Sequence, residues 1–159
     1  MKYIKTILIV SLFLMTSCGS MRNVPAKVYG INYSIFMDEV YPKIDKPVVV
    51  LFGSRYCAYS GKQLSLLKRE IQRKGYDEYI DFFAVDCETE ENYDWLIELW
   101  ETKNIPSKLQ GTPTWVYYEK RKNGEIHILV NPGNMTAEFL KDDFSRLINN
   151  YNNLWKHKV

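Results

Sequence analysis

The chain alternates between two kinds of hydrophobic period. Tyr33, Phe36, Met37 and Val40 fall on one face of a short helix over Asn32–Val40. Val48-Val-Val-Leu-Phe52 is an unbroken apolar, β-branched run between Pro47 and Gly53, the pattern of a strand buried on both faces. Leu64, Leu67 and Ile71 then recur at helical spacing until Gly75, while Lys62, Lys68, Arg69 and Arg73 take the opposite side. Ile80–Val85 reads as a second buried strand, and Tyr93, Leu96, Ile97 and Trp100 as a helix ending before Asn104-Ile105-Pro106. Thr114–Glu119 and Ile126–Val130 flank Asn123-Gly124, a strong hairpin signal, so those two strands are expected to be antiparallel. Leu140, Phe144, Leu147, Ile148, Tyr151 and Trp155 define a closing amphipathic helix.

This order implies an α/β fold: a mixed sheet of four to five strands with helices on both faces. The two apolar strands each feed a helix, so right-handed crossovers make them parallel. The loops at their carboxyl ends then share one rim. Cys57 and Cys87 both lie just beyond those strand ends.

The start of the chain has a different character. Lys2 and Lys5 precede an apolar run, Thr6–Met15, that closes on Thr16, Ser17 and Cys18. A basic segment, a short apolar segment and small residues are the layout of a cleavable secretory signal. The run is too short to span a bilayer, which takes about 20 apolar residues. Leu14-Met-Thr-Ser-Cys18 resembles the bacterial lipoprotein signal, which implies that residues 1–17 are removed and that Cys18 is lipidated. Residues 18–31 would then form a lipidated N-terminus and tether, and 32–159 the folded domain. The expected location is the cell envelope, on the periplasmic or extracytoplasmic side, with the membrane reached through the lipid.

At 159 residues the chain holds one domain, and its 23 aromatic rings (4 Trp, 12 Tyr, 7 Phe) and 25% charged residues are a globular composition. The net charge of +2 carries no basic block of the kind nucleic acid demands. Removing Lys2 and Lys5 with the signal leaves acids and bases in balance, so net charge supplies no pull toward anionic lipid and attachment rests on acyl chains. His127 and His157 lack metal-ligand spacing to any cysteine. There is no phosphate loop, no Ser/His/Asp motif and no paired catalytic carboxylates, so no cofactor and no metal is expected.

The three cysteines are an odd number and each is read by its context. Cys57 sits in Gly53-Ser-Arg-Tyr-Cys-Ala-Tyr-Ser60, between a buried strand and a helix start. Unpaired amides and the helix dipole stabilise a thiolate there, and Arg55 is close enough in sequence to add to that. A thiolate so placed suits attack on a disulfide or a sulfenic acid.

From Asn32 to Asn153 the chain resembles the thioredoxin superfamily. The resemblance rests on Lys46-Pro-Val-Val-Val-Leu-Phe52, on Cys57-x-x-Ser60 at the strand-to-helix turn, on Val85-Asp86, and on Gly111-Thr-Pro-Thr114. It implies a thioredoxin-like fold with a cis proline, Pro113, facing Cys57. Thr112 and Pro113 would then form a peptide-docking edge, with Tyr56, Ala58 and Tyr59 beside it as substrate-binding residues.

The departures are as informative. Tyr56-Cys-Ala-Tyr-Ser60 replaces the usual Trp-Cys-Gly-Pro-Cys, so Ser60 stands where thioredoxins keep the resolving thiol. A hydroxyl cannot resolve a mixed disulfide, which excludes a self-contained dithiol cycle at this motif. The buried acid usual in the family aligns with Leu51 and its neighbouring lysine with Phe82.

Two functions fit. In one, Cys57 is a catalytic monothiol tuned by Ser60, an oxidoreductase or isomerase that captures cysteine-containing envelope or secreted proteins as mixed disulfides released by an external thiol. In the other, the domain is a catalytically degenerate module that docks peptides by strand-like pairing. Cys87 is either a second thiol able to resolve Cys57 or an unpaired structural residue. The loop Lys103–Gln110 is a few residues longer than thioredoxins usually have, and is expected to set partner choice together with Tyr56 and Tyr59.

Overall fold

The computed structural model describes residues 25–155, and the signal segment, Cys18 and His157 lie outside them. Five strands form one sheet in the order β1-β3-β2-β4-β5. They are β1 Tyr29–Gly30, β2 Val48–Gly53, β3 Asp81–Asp86, β4 Thr114–Lys120 and β5 Ile126–Pro132. β1, β3 and β2 run parallel, whereas β4 pairs antiparallel with both β2 and β5. The helices are α1 Tyr33–Ile35, α2 Ala58–Lys74, α3 Glu90–Thr102 and α4 Ala137–Trp155.

The continuous apolar run of β2 is needed because both of its faces are covered. Val48, Val50 and Phe52 pack with Phe36, Trp95, Leu96 and Trp100 on one side, where α1 and α3 lie. Val49 and Leu51 pack with Leu67, Ile71, Leu140, Phe144 and Leu147 of α2 and α4 on the other. β4 is divided in the same way, Val116 and Tyr118 against Trp115 and Tyr117. Strand alternation thus splits one sheet into two cores.

α2 ends at Gly75, whose φ of 69° is left-handed and whose N–H donates to the Ile71 carbonyl at 2.7 Å. Only glycine takes that conformation without a Cβ penalty. Thr89 caps α3, its hydroxyl accepting from the Asn92 N–H.

Three sequence expectations need correction. β1 lies inside the segment read as tether, and Ala26 and Val28 pack against the α2/α4 core, so the folded unit begins before Asn32. A two-residue strand is held by its ladder to β3 and has no period of its own. The helix expected over Asn32–Val40 is one α-turn followed by a π-helical turn, Phe36–Val40, in which Tyr41 N–H donates to the Phe36 carbonyl five residues back. Tyr93 is 47% exposed, and Trp95 at 4% takes its place in the core beside Leu96 and Trp100.

Candidate functional site

Cys57 is the N-cap of α2, with extended backbone (φ −93°, ψ 108°) that turns the chain from β2 into the helix. Its own N–H donates to the Ser54 carbonyl at 3.1 Å and its carbonyl accepts from Ser60 N–H at 3.0 Å.

Ser60 is 7% exposed, against the first turn. Its hydroxyl oxygen accepts from Ser54 N–H at 3.2 Å, which leaves the hydroxyl proton for the Cys57 sulfur. That arrangement explains Gly53: a Cβ there would lie 3.0 Å from Ser60 Cβ and 3.2 Å from its Oγ. The strand end and the helix start approach too closely for a larger residue.

The thiol of Cys57 is held below its ordinary pKa. The Ser60 hydroxyl contributes most, partial burial opposes it, and the N–H groups of Ser60 and Tyr59 and the Thr112 side chain add to the lowering. The protonated thiol also donates to the Thr112 carbonyl at 3.2 Å, a bond that the thiolate gives up. The donors outweigh burial, so the thiol ionises more readily than an ordinary one.

Thr112–Pro113 is a cis peptide, and its backbone is the neighbour that Cys57 touches across the rim. Pro113 carbonyl accepts from Gly133 N–H at 2.8 Å and Thr114 hydroxyl donates to Gly111 carbonyl at 2.6 Å, which ties this turn to β5 and to its own loop. Beside the thiol along the chain, Tyr56 is 84% exposed and Tyr59 56%; Leu109, on the turn Ser107–Leu109 that precedes Thr112, is 52% exposed. Ala58 opens α2 and is also exposed.

Cys87 has the opposite setting. Its N–H donates to the Gly53 carbonyl at 2.8 Å and its side chain packs on the α1/α3 core. Burial, with the Asp86 carboxylate adding, pushes its thiol up to about 12. Both cysteines are free thiols.

Arg55 does not act on Cys57 as its sequence position suggested. Its guanidinium is paired with Glu88, which also accepts from Arg55 N–H at 3.0 Å and from Ser54 hydroxyl at 3.3 Å. Glu88 thereby clasps the loop that presents the thiol. Asn92 is a further organiser: 4% exposed, it donates to the Asp86 carbonyl at 2.8 Å and accepts from Tyr33 N–H at 3.0 Å, joining β3, α3 and α1 at the rim. In the sequence Glu88 reads only as part of a solvated acidic helix start, Glu88–Glu91, and nothing marks Asn92, because both act through contacts distant along the chain.

Leu51 and Phe82 are buried, so no ionisable group lies beneath the motif at either position. A mostly apolar cleft of about 280 Å³ opens there instead, lined by Leu51, Gly53, Ser60, Leu64, Ala84 and Val85 among others.

The chain is similar in structure to chloroplastic thioredoxin z, with a TM-score of 0.56 at 20% identity over 79% of this chain and 97% of that one. It is similar to the Malassezia sympodialis thioredoxin Mala s 13 (TM-score 0.55, 20% identity, 79% and 95% covered). The oxidised thioredoxin O2 of Arabidopsis thaliana gives 0.56 at 13% identity over 77% and 96%. No protein-family model and no curated protein matches the chain. The protein has the thioredoxin fold, with a single cysteine at its strand-to-helix motif.

Proposed function

We propose that the protein is a monothiol of the cell envelope, held there by lipid on Cys18, that captures disulfide-bearing envelope or secreted proteins through Cys57. The observation that carries this reading is the Cys57 sulfur, turned toward thiolate by the Ser60 hydroxyl and set beside the cis Thr112–Pro113 backbone.

The Cys57 thiolate attacks one sulfur of a partner disulfide. A new bond forms between Cys57 and that sulfur, the partner's S–S bond breaks, and its second sulfur leaves as a thiolate. Ser60 cannot reverse this, having no sulfur. Release comes when the partner's own thiolate attacks the mixed disulfide, which isomerises the partner with no net electron transfer. An external thiol performs the same displacement and is itself left in a disulfide with the partner. The exposed rings of Tyr56 and Tyr59 and the Leu109 side chain supply contact area for an extended segment docking along Thr112 and Pro113.

Substrate trapping tests the reading. The mature protein, incubated with oxidised envelope extract, is expected to form adducts that thiol reductant dissolves, that persist in Cys87→Ser and that vanish in Cys57→Ser. Adducts that survive Cys57→Ser would overturn it. A Cys57→Ser protein that forms none yet retains partner binding would instead establish the docking module.

A further inference from the structure

Four basic side chains gather around one cleft of the fold. At the pole opposite Cys57, Lys46 at the entry to β2 and Lys120, Arg121 and Lys122 at the β4–β5 turn line one cleft of about 320 Å³. Pro47, Leu147 and Leu154 give it apolar walls, and Asp45 and Glu119 are its two acids. Glu119 is already engaged by Arg146 at 2.6 Å and Asn150 at 3.1 Å, and Lys46 by Asp81 at 3.4 Å. Lys156 and Lys158 follow α4 in the sequence, just past the described residues. At the Cys57 pole, Asp86 ends β3 and Glu88, Glu90 and Glu91 follow it, with Arg55 paired to Glu88.

The N-terminal segment arrives on the basic side. Tyr29 pairs with Phe83 and Gly30 with Ala84 in a parallel ladder, so the chain before Tyr29 points to the Asp81 end of β3, where Lys46 also lies. Pro25, where the described residues begin, is seven residues from Cys18. Seven residues reach about 25 Å at full extension. The seven-residue β4 measures about 20 Å from the Thr114 end, near Cys57, to the Lys120 end. A lipidated Cys18 can therefore bring the basic pole onto a bilayer with slack to spare, whereas turning the Cys57 rim onto it consumes almost the whole tether.

We propose that this pole is a docking surface for anionic phospholipid headgroups, which seats the domain on its membrane and points Cys57 outward, about 20 Å above the surface. The proposal rests on the reading of Cys18 as lipidated. The Lys120–Lys122 cations meet headgroup phosphates, and the acids that follow β3 are kept away from the same surface.

The full lipidated chain is floated with vesicles of phosphatidylcholine, with and without phosphatidylglycerol, and amide exchange is read by mass spectrometry. Flotation on the neutral vesicles is expected, and failure there sinks the Cys18 reading alone. Docking then stands or falls on whether phosphatidylglycerol recruits the chain. With phosphatidylglycerol, the amides of residues 119–127 are expected to exchange several-fold more slowly. High salt and the Lys120→Gln/Arg121→Gln/Lys122→Gln variant should each abolish that protection. Equal exchange on both vesicles, protection that survives salt and the variant, or protection of the Cys57 rim instead would overturn the proposal.

Discussion

Cys57 and Cys87 stand on one rim, each just past a parallel strand, and their thiols are pushed in opposite directions. Cys57 stands at the N-cap of a helix and shifts toward thiolate, chiefly through the Ser60 hydroxyl. Cys87 is half-buried against the α1/α3 core beside Asp86, and its thiol is pushed up to about 12. Position after a strand is common to both. What separates them is burial, which raises Cys87, against the donors led by the Ser60 hydroxyl, which lower Cys57; the first setting suits a small hydrophobe and the second the nucleophile proposed above.

Competition for an alkylating reagent should break the symmetry most visibly. At neutral pH iodoacetamide is expected to modify Cys57 well ahead of Cys87 in the native protein, and at equal rates once the chain is denatured. Peptide mapping by mass spectrometry reads both, and native modification of Cys87 first would reverse the comparison.

Ser60→Ala narrows the gap between the two thiols. Without the hydroxyl the Cys57 thiol rises toward its ordinary value, and its alkylation at neutral pH is expected to slow several-fold while that of Cys87 stays as it was. Ser54 N–H loses its acceptor as well, which costs about 1 kcal/mol of stability by thermal or urea unfolding.

A further effect is in alkaline stability, and its sign follows from linkage. Cys87 has a folded pKa raised to about 12, above its unfolded value of about 8.5. Its contribution is complete below the unfolded value and is lost as pH climbs toward the folded one. Cys57, with a lowered value, runs the other way: its contribution is present above the unfolded value and is lost as pH falls through the folded one. In a Cys57→Ser background, Cys87→Ala is therefore expected to flatten the decline of unfolding free energy from about pH 8.5 to 10. Above that range Tyr117 and Tyr118, both raised chiefly by burial, take over the slope. An unchanged slope below pH 10 would show that Cys87 ionises freely.

The parts of the fold legible in the sequence are those that local period or punctuation encodes. The run Val48–Phe52, the spacing of Leu64, Leu67 and Ile71 and the Asn123-Gly124 turn each state their own structure, and Gly75 its stop. The parts that stayed hidden depend on partners far along the chain. β1 exists by pairing with Phe83 and Ala84, and Trp95 displaces Tyr93 because the α3 face is set by Phe36 and Phe52 across the core. At the site, Cys57, Ser60 and the Thr112–Pro113 turn were readable as residue types in order. That Glu88 would claim Arg55, and that Ser60 would pass Ser54's hydrogen bond on toward the sulfur, depends on loop geometry that no spacing rule contains.

The central claim is that the setting of Cys57 makes it a thiolate nucleophile. Ultraviolet titration of the thiolate in the Cys87→Ser protein tests it directly. A midpoint below the free-thiol value of about 8.5, rising in Ser60→Ala, is the predicted result. A midpoint at or above that value, insensitive to Ser60, would contradict it.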